Sequence, residues 1–229
     1  MIGDRIRYIT EKIDRAAVRS GRRLDDITLV AVSKTFPIEK IIDAYNSGLR
    51  IFGESRLQEA AGKIEHLKAF PDIKFHMIGH LQTNKIRMLK DYFNLVHSVD
   101  SVHLAKKMND YFYSINRVQD ILIQVNLVNE PQKYGIKIEE FDEMMEKMKS
   151  FPNLRVRGLM FIPPFYDDPE MNRGNFRRMK VLFDETKKKY KEFKEFDILS
   201  MGMSDDFEIA IEEGANMVRI GSAIFGERV

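Results

Sequence analysis

Near the start of the chain, apolar residues fall at Ile2, Ile6, Ile9, Ile13 and Ala17, a spacing that predicts an amphipathic helix with one buried stripe. Ser20-Gly21 predicts its end. Beyond it, short β-rich runs alternate with helical stretches. The runs are Thr28–Lys34, Ile51–Glu54, Lys74–Gly79, Leu95–Asp100, Ile121–Asn126, Val156–Ile162, Ile198–Met203 and Met217–Ser222. Each interval has room for a helix and two loops, so every strand can lie parallel to the last. Eight such units predict an α/β fold, a single (β/α)8 TIM barrel with an extra N-terminal helix, over residues 1–229 as one domain. An open doubly wound sheet is the alternative, but it would leave strand edges to protect and would not favour eight strands. No linker divides the chain. Pro163-Pro164 and Asp167-Asp168-Pro169 read as one long top-face loop after the sixth strand.

Composition narrows the function classes. Hydrophobic residues make up 44% and charged residues 31%, which points away from a disordered chain. The apolar runs are strand-sized, far short of the roughly 20 residues that span a bilayer, so no membrane association is expected. Met1-Ile2-Gly3-Asp4-Arg5 lacks the apolar stretch of a secretory signal. There is no cysteine, hence no disulfide and no thiolate metal site, and a cytoplasmic location is expected. A net charge of +2 gives no reason to expect a nucleic-acid partner. Lys187-Lys188-Lys189, with Glu185, Glu192 and Glu195 nearby, reads as a solvated helix face.

In a barrel of this kind the C-terminal ends of the strands build the site, and unusual residues collect there. Val30, Val32 and Lys34 alternate onto one face of the first strand, which puts the lysine at the barrel mouth. A desolvated amine is a nucleophile toward carbonyls; a lysine with its head in water is the plainer reading of the position alone. On the last strand Arg219 and Gly221 share a face and Ser222 follows. Glycine permits close backbone approach to an anion, and barrels often hold phosphate after strands seven and eight. Strand seven runs into Ser204, which is expected to cap a helix opened by Asp205-Asp206 and to offer donors to a phosphate. Arg219 fits a structural ion pair at the rim equally well. His76, Ile78 and His80 share a face of strand three. With no carboxylate partner evident, the histidines are expected to be hydrogen-bonded core or rim residues and no metal site is expected. The pairs Asp167-Asp168 and Asp205-Asp206 read as loop and first-turn acids, not as a general acid/base pair.

Several strings together carry a family resemblance. The most specific is Phe75-His76-Met77-Ile78-Gly79-His80-Leu81-Gln82-Thr83-Asn84-Lys85. Ala31-Val32-Ser33-Lys34, Phe52-Gly53-Glu54, Gly158-Leu159-Met160, Leu199-Ser200-Met201-Gly202-Met203-Ser204 and Val218-Arg219-Ile220-Gly221-Ser222-Ala223-Ile224-Phe225-Gly226 support it in order. From about Ile6 to Arg228 the chain resembles the pyridoxal phosphate homeostasis proteins (YggS or PROSC type), relatives of the alanine racemase barrel domain. The resemblance implies pyridoxal 5′-phosphate (PLP) held as a Schiff base on Lys34. It implies phosphate contacts from Ser204, Gly221 and Ser222, with Arg219 opposite the pyridine nitrogen. An arginine there donates to an unprotonated nitrogen and leaves a weaker electron sink than a carboxylate partner would. Ser55 stands where the family usually has asparagine, and Ser222 where it often has threonine.

The resemblance leaves carrier and enzyme to be separated. The sequence ends at Val229, soon after Ser222, whereas alanine racemase continues into a second domain that brings a tyrosine to the other face of the cofactor. Two-base racemisation needs an acid/base on each face. The expectation is therefore a PLP-binding protein of vitamin B6 homeostasis without efficient catalysis of its own. PLP and apo PLP-enzymes are its expected partners, and it is expected to be a monomer. The alternatives are a weak amino-acid racemase, another PLP enzyme acting on small amino acids, and a barrel scaffold with an empty site.

Overall fold

The computed structural model describes residues 1–130 and 132–227; Arg228, where the family resemblance ends, lies outside them. Helix α1 (Ile2–Arg19) buries Ile2, Ile6, Ile9, Ile13, Ala16 and Ala17, the stripe its periodicity predicts, and stops at Ser20, with Gly21 in the left-handed region at φ 72°. There follow β1 (Thr28–Val32), α2 (Ile38–Asn46), β2 (Ile51–Glu54), α3 (Leu57–His66), β3 (Lys74–Met77), β4 (Leu95–Val99), α4 (Val102–Ser114) and β5 (Gln119–Asn126). The chain continues through β6 (Ile136–Lys137), α5 (Ile138–Met148), β7 (Leu154–Phe161), α6 (Arg173–Lys189), β8 (Ile198–Ser200), α7 (Phe207–Glu212), β9 (Met217–Ile220) and α8 (Ser222–Phe225). Between β3 and β4 the connection is a 3-10 turn, Thr83–Met88, instead of a full helix.

Eight parallel strands close the ring β1-β2-β3-β4-β5-β7-β8-β9, with β9 returning to β1. This is the expected barrel. The additional β6 is two residues long, pairs only with the end of β5, and stands outside the ring. The closing pair sets Thr28 beside Met217, Val30 beside Arg219 and Ala31 beside Ile220. No helix among the described residues is long and apolar enough to cross a membrane.

Two apolar layers hold the ring. The larger fills the space between the strands' outward faces and the helices. The smaller lies inside the ring and contains Val30, Leu95, Leu122, Met160 and Met217. Two irregularities shape the interior. β7 carries an extra residue against β5 at Arg157, and Gly158 follows at φ 147°, packed against the Ile198 backbone so closely that a Cβ would strike the Ile198 carbonyl. β4 carries a second bulge between Val96 and Val99. His97 keeps the inward direction of Leu95 two residues before it, and the bulge turns Val99 outward into the larger layer.

Candidate functional site

Six of the eight ring strands stop one to three residues short of the runs visible in the sequence, and most of the chemistry sits in the residues just past them. At the top of the barrel a cavity of about 470 Å³ is lined by Val32, Lys34, Phe36, Ile78, Ile162, Met203, Ser204, Asp205, Arg219, Gly221, Ser222, Gly226 and Glu227. That volume suits a small organic ligand. All five residues singled out in the sequence, Lys34, Ser204, Arg219, Gly221 and Ser222, meet on its wall.

Lys34 is half-buried and lies two residues past the end of β1. The peptide groups on both sides of it are held. The Ser33 carbonyl accepts from Lys63 Nζ at 2.9 Å, and the Thr35 amide donates to Glu59 Oε1 at 2.6 Å. Lys63 also donates to that Glu59 oxygen at 2.6 Å and to Glu54 Oε1 at 2.9 Å, and the Ser33 hydroxyl donates to Glu54 Oε1 at 2.7 Å. Glu54 is fully buried, and its Oε2 has no hydrogen-bond partner among the described residues. Burial pushes its carboxyl up, against the pull of Ser33 and Lys63. Glu59 is desolvated too, but its bonds from Lys63 and Thr35 hold it below the usual carboxylate range. Thr35 has φ 68°, a left-handed conformation that is costly for a β-branched residue. Helix α3 and strand β2 thus clamp a strained corner that presents Lys34.

Across the cavity, Gly202 turns the chain after β8 at φ 91°. Asp206 locks this turn by accepting from the Met203 amide at 2.7 Å; burial raises its carboxyl. The expected helix cap is displaced: α7 begins at Phe207 with Asp206 at its N-cap, and Ser204 lies in the turn before it. Asp206 occupies the cap position without a side-chain cap bond, its carboxylate being turned back to the Met203 amide. Freed from capping, the Ser204 hydroxyl accepts from the Gly221 amide at 3.3 Å and from Ser222 Oγ at 3.1 Å. Asp205 and Asp206 part company, one exposed on the cavity wall and one buried beneath it.

Arg219 is buried at the cavity floor. Its Nη1 donates to Ser200 Oγ at 2.6 Å and its Nη2 to the Phe161 carbonyl at 2.9 Å. Burial pushes its guanidinium down to about 10, against the field of Asp206, which leaves it charged at neutral pH. The histidines at and just past the end of β3 separate. His76 is buried against His97, while His80 is exposed, stacks on Tyr134 at 3.8 Å and lies 3.3 Å from Asp100. The carboxylate partner not evident in the sequence is thus Asp100, whose carboxyl burial raises against the pull of His80. Among the described residues no group of three or more metal-ligating side chains is assembled.

The residues present fit a phosphate-bearing aldehyde. A primary amine, two hydroxyls with a glycine amide, and a charged donor at the floor face one cavity, whose remaining lining is apolar apart from Asp205 and Glu227 at its edge.

Residues 9–229 match the family described as alanine racemase, N-terminal domain. The pyridoxal phosphate homeostasis protein of Aquifex aeolicus (strain VF5) is 44% identical over 98% of this chain and 97% of its own length. That of Escherichia coli (strain K12) is 40% identical over 99% of this chain and 97% of its own length. The structure of PipY from Synechococcus elongatus PCC7942 with PLP bound aligns at a TM-score of 0.86 and 31% identity, covering 99% of this chain and 100% of that one. Alanine racemase from Corynebacterium glutamicum shares the fold at a TM-score of 0.70 and 16% identity, over 99% of this chain and 62% of its own. The chain therefore belongs to the alanine racemase N-terminal domain family and, within it, to the pyridoxal phosphate homeostasis proteins.

Proposed function

We propose that this chain binds PLP as a Schiff base on Lys34 and serves vitamin B6 homeostasis as a carrier, not as an efficient enzyme. The carrying observation is the convergence of Lys34, the Ser204–Gly221–Ser222 cup and Arg219 on one cavity. Bound PLP would supply an aldehyde that condenses with an amine and a pyridine ring that withdraws electrons. The clamp on Ser33 and Thr35 holds the Lys34 backbone at the cavity mouth, so that its amine would be presented to the aldehyde from that side of the site. The two hydroxyls and the Gly221 amide are mutually bonded at 3.1–3.3 Å, loosely enough to exchange those bonds for shorter charge-assisted ones to phosphate. Arg219 can only donate, so it suits an unprotonated pyridine nitrogen and gives little support to a full carbanion. Exchange of the lysine's bond for another amine is reversible and offers a route to apo-enzymes. We place the protein in the cytoplasm, as a monomer with the whole barrel as its binding unit.

The test is the visible absorption spectrum of the protein with PLP, before and after borohydride, with peptide mapping. A band bleached by borohydride, leaving pyridoxyl on Lys34, supports the reading; no band after PLP addition removes it. Lys34→Ala should lose the covalent bond and keep the fold, and a collapse of the apo-protein's melting temperature would count against the placement of Lys34 at the mouth. Asp205 and Glu227 also line the cavity, which favours a weak amino-acid racemase, or another PLP enzyme of small amino acids, as the second reading. Turnover that is lost in Lys34→Ala and far exceeds that of free PLP would establish it.

A further inference from the structure

Beneath the cavity a line of four polar side chains crosses the inside of the barrel. Arg219 of β9 bonds Ser200 of β8; Ser200 Oγ lies 3.1 Å from His97 Nδ1 on β4; His97 Nε2 lies 3.1 Å from His76 Nδ1 on β3. β8 and β4 are not neighbours in the ring, so the Ser200–His97 contact spans the interior. All four residues are buried, with Ser200 and His97 at 0% exposure. The same interior holds the apolar Val30, Leu95, Leu122, Met160 and Met217. Polar groups in such a place cost stability unless every donor finds an acceptor. β4 even breaks its ladder at this level, and Ser98 Oγ is left buried with no partner among the described residues. Two sequence motifs, the one containing His76 and the one containing Ser200, thus meet at a place that the cavity lining does not explain.

The direction of the line follows from its end. A guanidinium only donates, so Ser200 accepts from Arg219. The Ser200 hydrogen must then go to His97 Nδ1, because the reverse arrangement would leave that hydrogen without an acceptor in a fully buried position. His97 is consequently neutral, carries its hydrogen on Nε2, and donates to His76 Nδ1. His76 in turn carries its hydrogen on Nε2. Burial favours the neutral form of both rings: it pushes His76 down to about 3, with Lys74 adding to the effect, and His97 well below its ordinary value. Other charges at the line are Arg219 itself, which disfavours a charged His97, and Asp206, which faces Arg219.

We infer that Ser200 and His97 are positioning residues: they fix Arg219 as a one-way donor at the cavity floor, aimed at a heteroaromatic nitrogen that accepts but does not become protonated. Ser200 and the Phe161 carbonyl take one hydrogen from each terminal nitrogen and so fix the plane and orientation of the guanidinium, leaving its remaining N–H donors for the ligand. The inference rests on the PLP reading of the cavity, but its first readout does not need PLP. The chain has five histidines, few enough to resolve by imidazole nitrogen NMR of the full-length apo-protein between pH 5 and 8. Two rings should not titrate, and both should carry hydrogen on Nε2. Ser200→Ala should alter the His97 nitrogen shifts, weaken PLP binding about 10-fold by removing a bond to a buried charge, and shift the visible band. Ser200→Thr, which keeps the hydroxyl, should restore all three. His97→Leu is a second cut in the line, used where Ser200→Ala does not fold. A His97 ring that is protonated in this range or carries hydrogen on Nδ1 overturns the assignment. Unchanged PLP affinity and spectrum in both cut variants overturns the positioning role while leaving the cofactor reading intact. A wild-type protein that takes up no PLP removes the cofactor reading and this role together, whatever the tautomers show.

Discussion

Replacing Lys63 with methionine tests the clamp under Lys34. The substitution keeps the aliphatic stem and removes one ammonium that donates to Glu54, Glu59 and the Ser33 carbonyl. Glu54, fully buried, would retain only the Ser33 hydroxyl. Breaking a buried ion pair from one side costs about 3–5 kcal/mol. For a chain of this size that is a fall of roughly 6–20 °C in melting temperature. Glu54 has one escape, which is to take up a proton. Its carboxyl already titrates above its ordinary value because of burial, and loss of Lys63 raises it further. An acid with a raised folded-state pKa binds more protons folded than unfolded, so its contribution to stability grows as pH falls through that pKa. The loss in Lys63→Met should therefore be largest at pH 8 and shrink toward pH 5. Adding Glu54→Gln should cost less than the sum of the two single losses, with a coupling on the order of 1–3 kcal/mol. Urea melts of apo-protein at both pH values measure all of this. A loss below about 1 kcal/mol, the range of exposed pairs, or a pH-independent loss with additive double-variant behaviour, would refute the reasoning.

Three further outcomes are expected. Ser204→Ala with Ser222→Ala should weaken PLP retention by at least about 10-fold in equilibrium dialysis, since each hydroxyl given up to a charged group is worth about 1.5–3 kcal/mol; unchanged affinity would move the phosphate elsewhere. His76 titrates near 3 when folded and near 6.5 when unfolded, so its contribution falls by about 2 kcal/mol between pH 7 and pH 5. His76→Gln should flatten the pH dependence of urea stability by that amount, and an unchanged slope would show that the ring already charges in the fold. Gly158→Ala would force a Cβ onto the Ile198 carbonyl at φ 147°, so soluble expression should fail or stability should drop by more than about 4 kcal/mol. A melt like that of wild type would mean the β7 bulge relaxes freely.

What could be read from the sequence followed physical periodicity. The α1 stripe and the alternating β-rich runs are local patterns, and they led directly to a parallel barrel. The five cavity residues were accessible because Arg219 stands at the top of a strand and the other four just past strand ends, where the fold collects chemistry. The two-residue β6 has too few residues to leave a pattern. The displaced α7 cap depended on a tertiary choice between Ser204 and Asp206, two residues equally suited to capping. Glu54 and Lys63 looked ordinary because their pairing depends on α3 bringing Lys63 to Glu54 of β2 and to the Ser33 carbonyl; the i, i+4 spacing of Glu59 and Lys63 was the only local hint. The His97–Ser200 contact joins residues on opposite sides of the ring, beyond the reach of any local pattern.

Val30 beside Arg219 and Ala31 beside Ile220 mark the seam where the ring shuts. Lys34 leaves one side of that seam, and Gly221 and Ser222 leave the other. A molecule covalently held by the first and gripped by the second becomes a strut across the joint. Its binding energy then opposes the opening of the barrel, growing with free ligand as the logarithm of its ratio to Kd. Hydrogen exchange along β1 and β9 should slow first when vitamin is plentiful. A protein that senses scarcity would, by this architecture, feel it as a loosening of its own closure.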